Sequence, residues 1–144
     1  MNRIAVGAAA LALALGSALG LPSAAETRPD EVAATCPAAL PPGPKAAAGA
    51  LSAITREQPR VYPGPEYRTY QVTGLASLVP ELWAPGGIEP HRGIAARRCG
   101  EEVANRSWVI YVFFPKLASS ASLSQGIAFA ARTSRGWIIW YRYR

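Results

Sequence analysis

The sequence predicts a small α+β domain in which helices pack on an antiparallel sheet. Two runs of β-branched and aromatic residues, at residues 107–114 and 137–143, are typical of strands. A weaker alternation at residues 123–132 lies between them, and Thr133-Ser134-Arg135-Gly136 is a natural hairpin loop. These signals give a three-strand antiparallel meander at the C-terminal end. Helical spacing earlier in the chain adds one or two helices, and one further strand precedes the meander.

The first helix is predicted over residues 45–57. Pro44 suits the start, because the first position of a helix does not need a backbone N–H. Apolar residues fall on one face: Ala47, Leu51 and Ile54. Pro59 is expected to end the helix, and Gly49 weakens the prediction because glycine is a poor helix former.

A strand, an irregular loop and a second helix are predicted next. Residues 66–73 carry strand-forming Tyr and Val, and residues 74–90 contain the Gly and Pro residues of a long loop around Trp83. Residues 92–104 have helical spacing, with an apolar stripe of Ala95, Cys99 and Val103. Gly100 is expected to shorten this helix.

Strict alternation assigns the strand faces. Both faces of residues 107–114 are apolar, so the first helix, the proline-rich segment or another protein should cover the second face. In the last strand, one face is read as core: Trp137, Ile139, Tyr141 and Tyr143. The other is read as an apolar plate with cationic neighbours: Ile138, Trp140, Arg142 and Arg144.

The order helix, strand, helix and meander resembles the cystatin-like and nuclear-transport-factor-like architectures. In those folds a helix lies in the concave face of an antiparallel sheet. The resemblance lies in element order alone, so it implies a fold and carries over no functional residue.

The first 25 residues have the three-part pattern of a secretory signal. Arg3 precedes an apolar run from Ile4 to Leu21, and Ser23-Ala24-Ala25 supplies small residues for cleavage. The prediction is a signal peptide at 1–25, a proline-rich tether at 26–44 and one domain at 45–144. The protein is then expected to be secreted, or to lie in the periplasm or cell envelope. The alternative is an uncleaved anchor, since the run is at the lower limit for a membrane-spanning helix.

Two cysteines, Cys36 and Cys99, lie in the exported part. In an oxidising compartment they are expected to form one disulfide, which ties the tether to the buried stripe of the second helix. A catalytic thiol is the sharper alternative, but no base is near either cysteine in the sequence.

Few catalytic residue types are available. The chain has one His, His91, and one Asp, Asp30, so a metal site or a Ser-His-Asp relay is disfavoured and no cofactor is predicted. Glu89 and His91 share a Gly/Pro loop and form the best enzymatic hypothesis. Because so few catalytic residue types are available, we predict no catalytic residues.

Charge provides the leading functional hypothesis. The chain has a net charge of +6, and residues 103–144 contain basic but no acidic side chains. The prediction is a non-catalytic binding domain that contacts an anionic envelope component or another protein. The contact residues are predicted to be Trp140, Arg142, Arg144, Arg132 and Arg135.

Nucleic acid is an unfavoured partner because exported proteins rarely meet it. No stable membrane span is expected after cleavage. The sequence is compatible with a monomer or a homodimer. The alternative is a small-molecule-binding or hydrolytic domain with a pocket between helix 92–104 and the sheet, with Glu89, His91 or Tyr111 at its mouth. A third hypothesis is a structural or inhibitory protein recognised through the loop that carries Trp83.

Overall fold

The computed structural model describes residues 35–79, 88–117 and 121–143, and within them two long helices pack on a four-stranded sheet. The helices are α1 (Ala46–Val61), α2 (Glu89–Asn105) and the short α3 (Ala121–Ser124). The strands are β1 (Gln71–Ser77), β2 (Ser107–Phe113), β3 (Gln125–Thr133) and β4 (Gly136–Tyr143). The sheet is antiparallel throughout and has the order β1-β2-β3-β4. The predicted α+β class and meander are confirmed.

Each face of the sheet is covered by a helix. On one face, Ala50, Ala53 and Ile54 of α1 pack with Ile110 and Val112 of β2. On the other face, the apolar side of α2 packs over aromatic residues of β3 and β4. The second apolar face of β2 is therefore covered by the chain itself. The resemblance in element order implied a helix in one concave face of the sheet. The structure instead has a helix on each face, so the sheet is the middle layer of three.

Helix α1 runs past its predicted end. Pro59 lies inside the helix, and the prediction that it ends the helix was wrong. Proline in the last turn removes one hydrogen bond, to the carbonyl of Thr55. The turn is held by the Gln58 side chain, which donates to the Tyr67 carbonyl at 2.6 Å, and by burial of Val61.

Gly49 has a packing role in α1. A Cβ at this position would lie 2.1 Å from Nε1 of Trp137, so the indole ring rests directly on the helix backbone. The residue that weakened the helix prediction is the one that lets β4 approach α1 closely.

Helix α2 starts at Glu89, three residues before the predicted start, with Pro90 in its first turn. Gly100 has φ 83° and ψ 164°, which divides the helix into two pieces. The helix continues to Asn105, so the prediction that Gly100 shortens it was wrong: the residue kinks the helix and does not end it. Only Ala95 and Ala104 of α2 are buried, so the helix contributes few deeply packed side chains.

The first strand is shifted along the chain. Residues Pro65–Tyr67 form a 3-10 turn, and β1 begins at Gln71 and includes residues 74–77, which were predicted to be loop. Gly74 pairs with Tyr111 of β2, and a Cβ on Gly74 would lie 2.9 Å from the Tyr111 ring. The large ring covers the glycine, and this packing keeps residue 74 in the strand. Trp83 lies outside the described residues.

The predicted disulfide is present and anchors the proline-rich segment. Cys36 and Cys99 are bonded, with a Cα–Cα distance of 5.3 Å. Leu40 donates its backbone N–H at 2.7 Å to the carbonyl of Arg132, a residue of β3. Arg132 lies one residue past the pairing of β3 with the first residue of β2. Arg106 donates to the Ala39 carbonyl at 2.7 Å, so the segment is fixed by covalent and hydrogen bonds.

Within the described ranges, no helix has the length and apolar character needed to cross a membrane. The predicted signal peptide at 1–25 lies outside those ranges.

Candidate functional site

A β-bulge in β4 rearranges the predicted binding face. Phe129 pairs with Tyr141, but Ala130 pairs with Ile139, so Trp140 is the extra residue. The bulge reverses the alternation beyond this point. Trp140 and Tyr141 both lie on the α2 face, and Arg142 moves to the α1 face. The predicted grouping of Trp140 with Arg142 on one face was wrong, because it assumed a regular strand.

Trp140 is a core residue with only 4% of its surface exposed. Its indole Nε1 donates to the Ser107 hydroxyl at 3.1 Å, and that hydroxyl donates to the Val103 carbonyl at 2.7 Å. This hydrogen-bonded chain joins β4 to β2 and α2. The Trp140 ring therefore does not form the exposed stacking plate that the sequence predicted.

The predicted arginines lie at separate places. Arg142 is 8% exposed, and its guanidinium carbon is 5.1 Å from the centre of the Tyr62 ring. Arg132 is exposed and donates to the Pro41 carbonyl at 3.4 Å. Arg135 is exposed in the turn between β3 and β4. Arg144 lies outside the described residues.

A cavity of about 470 Å³ brings Arg135 and Arg142 together. We call it the β4 groove. Its walls are residues 35–38, the last turns of α1, the β3–β4 turn and residues 138–142. Cys36 belongs to one wall, so the disulfide holds that wall against the domain. The volume lies within the range of small-molecule sites in proteins.

Two further charged residues of the groove, Glu57 and Arg60, were missed by the sequence analysis. Arg60 comes directly after Pro59, where the helix was expected to have ended. Because α1 continues, Arg56 and Arg60 are one turn apart and face the same strand edge. Their spacing of four residues was the only available signal.

These side chains cap the outer edge of β4. Arg56 donates to the Trp137 carbonyl, and Arg60 donates to the Ile139 carbonyl at 3.2 Å. Glu57 accepts from the backbone N–H of Ile139 at 3.4 Å and pairs with both arginines. The three side chains thus take the place of a neighbouring strand over residues 137–139.

The charge of the groove favours anions. Its described lining holds Arg60, Arg135 and Arg142 against the single carboxylate of Glu57, a formal charge of +2. Glu57 is already bonded on both oxygens, and its side chain is only 14% exposed. The groove therefore presents excess positive charge beside the apolar surface of Val61 and Ile138.

A second cavity, of about 520 Å³, lies beside the first turn of α2. Residues 73–74, 111–113 and 125–127 line it together with His91. Nδ1 of His91 lies 2.6 Å from the Tyr143 hydroxyl, and the His91 ring meets the Tyr111 ring edge-on at 5.3 Å. The alternative hypothesis placed a pocket between helix 92–104 and the sheet. His91 and Tyr111 of its predicted mouth line this cavity, but Glu89 and residues 92–104 do not.

Burial shifts the titration of this cluster. It lowers the pKa of His91 below 6.5 and raises the pKa of Tyr111. Burial, together with neighbouring Tyr111 and Tyr141, raises the pKa of Tyr143 to about 12. All three groups are therefore held in their neutral forms near pH 7.

Metal chemistry has no support in the described part of the chain. There, no group of three or more His, Cys, Asp or Glu side chains is placed to hold an ion.

No protein-family model, curated protein or solved structure matches this chain.

Proposed function

We propose that this protein is an exported, non-catalytic binding domain of the cell envelope or extracellular space, and that it takes an anionic ligand in the β4 groove. The supporting observation is the groove itself, a cavity of about 470 Å³ with three arginines and one ion-paired glutamate. The ligand is a carboxylate, phosphate or sulfate group on an envelope component or on another protein. The basic face predicted from the sequence is thereby replaced by a basic groove at the strand edge.

The arginines have different roles in this proposal. Arg135 is exposed on the turn and attracts the ligand from solution. Arg142 is nearly buried and lies over the Tyr62 ring, so its position is set before the ligand arrives. A guanidinium held in place loses less side-chain entropy when it forms a paired hydrogen bond with an anion.

Apolar surface gives the groove a second means of recognition. Val61 and Ile138 lie among the charged groups, and both belong to well-packed parts of the fold. A ligand that has an anionic group next to an apolar one would fit better than a bare inorganic ion. Salt should weaken the electrostatic part of the binding and leave the apolar part.

Retention on a heparin matrix tests the proposal. Arg135→Gln removes one charge from the groove, and Arg68→Gln removes one exposed charge from the segment before β1 as a matched control. We expect Arg135→Gln to elute at lower salt than the control, although both variants have the same net charge. Arg142→Gln should show a larger decrease because it removes the prepositioned guanidinium.

Equal elution of Arg135→Gln and Arg68→Gln would count against the groove, because retention would then follow net charge alone. Thermal unfolding of each variant should accompany the assay. Early elution of an Arg142→Gln protein that has lost its cooperative transition would report unfolding. The test of the groove therefore rests on the comparison of Arg135→Gln with Arg68→Gln, since both of these residues are exposed.

A further inference from the structure

The cavity beside His91 differs from the β4 groove in its chemistry. Its lining contains no Lys, Arg, Asp or Glu among the described residues. Its walls combine aromatic rings and polar atoms, and His91 and Tyr111 are the titratable side chains in the part of the lining that the structure describes. Both are neutral near pH 7 because burial lowers the pKa of His91 and raises that of Tyr111. The described lining therefore offers no counter-charge to a charged ligand.

Two contacts fix the walls of this cavity. Tyr143 engages Nδ1 of His91 at 2.6 Å, which sets the orientation of the imidazole. In either tautomer Nε2 is then the ring nitrogen available to a ligand, as a donor or as an acceptor. Tyr111 lies in β2, and its ring covers Gly74 of the neighbouring strand β1. A Cβ on Gly74 would lie 2.9 Å from Cδ2 of that ring. The rings of His91 and Tyr111 meet edge-to-face, at 76° and with 5.3 Å between their centres, so each restricts the position of the other.

We propose that this cavity binds an uncharged sugar ring. A pyranose has an apolar C–H face that stacks on an aromatic ring and a rim of hydroxyl groups that form hydrogen bonds. Tyr111 supplies the aromatic wall and a hydroxyl, and His91 supplies Nε2. The volume of about 520 Å³ lies within the range typical of small-molecule sites.

The sugar site is separate from the β4 groove. His91 and Tyr111 are absent from the described lining of the β4 groove, and Arg135 and Arg142 are absent from that of the cavity beside His91. Variants of one site should leave binding at the other unchanged. The two proposals can therefore succeed or fail independently.

Saturation-transfer NMR with the neutral disaccharide N,N′-diacetylchitobiose tests the inference. We expect transfer to the sugar protons in the oxidised protein. Tyr111→Phe removes one hydroxyl and should raise the dissociation constant roughly two- to tenfold, as expected for one net hydrogen bond. His91→Ala should abolish the signal, and Arg68→Gln, an exposed change outside both cavities, should leave it unchanged.

Gly74→Ala provides a second test without changing any polar group. The new methyl displaces the Tyr111 ring, so sugar binding should fall while the circular dichroism spectrum stays native. Transfer to the sugar that is the same in wild type, His91→Ala and Tyr111→Phe would overturn the assignment. Transfer to p-nitrophenol without transfer to the disaccharide would also overturn it, because the cavity would then select flat aromatic rings.

Discussion

The contact between Gly49 and Trp137 gives the sharpest test of how β4 packs on α1. A Cβ on Gly49 would lie 2.1 Å from Nε1, 2.4 Å from Cδ1 and 2.6 Å from Cε2 of the indole. Ordinary contacts of a Cβ begin at about 3.4 Å. Gly49→Ala therefore requires the whole ring, which is part of the core on this face, to move away from the helix.

Two opposing terms set the size of the effect. Overpacking a well-filled core costs about 1–3 kcal/mol. Alanine is favoured over glycine in a helix interior by about 1 kcal/mol. Because the clash involves three atoms of a rigid ring, we expect the first term to dominate and the free energy of unfolding to fall by up to about 2 kcal/mol.

Urea unfolding followed by far-ultraviolet circular dichroism measures this change. The Trp137→Leu background removes the indole, and there Gly49→Ala should raise the free energy of unfolding by up to about 1 kcal/mol. Ser52→Ala, an exposed change on the same helix, serves as the control and should stay within about 0.5 kcal/mol of wild type. Stabilisation by Gly49→Ala in both backgrounds would refute the close approach.

Two further predictions concern the strand edge and the histidine. Arg56→Ala combined with Arg60→Ala uncovers the outer carbonyls of β4, so the protein should self-associate, as measured by sedimentation velocity at increasing concentration. Burial lowers the pKa of His91, so the folded protein resists its protonation and the free energy of unfolding should decrease as the pH falls below about 6.5. The chain has one histidine, and its proton NMR titration should give a pKa below that of the urea-unfolded protein.

Each of these predictions has a control. The double variant Arg68→Ala, Arg97→Ala removes the same charge from exposed positions and should remain unassociated. Identical sedimentation of the two double variants would show that the arginine caps do not protect the edge. An imidazole that titrates at the same pH in folded and unfolded protein would contradict the burial of His91.

The sequence was sufficient for the class of fold and for the disulfide. Alternating β-branched and aromatic residues predicted the meander, because the side chains of a half-buried strand repeat every two residues. The apolar stripe of the second helix placed Cys99 on its inner side, where Cys36 reaches it. Both features depend on local pattern, which a single sequence contains.

The site depended on features that are not local. One extra residue at Trp140 reverses the faces of β4. Only the pairing of the strands on either side of it, β4 with Phe129 and Ala130 of β3, reveals this. Arg60 joins the groove because tertiary packing carries α1 past Pro59. The role of Gly49 requires knowledge of where Trp137 lies, far along the chain. In each case the decisive partner is distant in sequence, so no window of neighbouring residues contains the information.

The disulfide joins two parts of the chain that are made at different times. The chain has two cysteines, so oxidation within one molecule has one product and cannot scramble. Cys36 is made early in synthesis, but its partner follows 63 residues later. Residues 35–38 therefore wait for α2 before they can be locked down. Reduction would remove the one covalent tie of this segment and leave the hydrogen bonds at Ala39 and Leu40 to hold it.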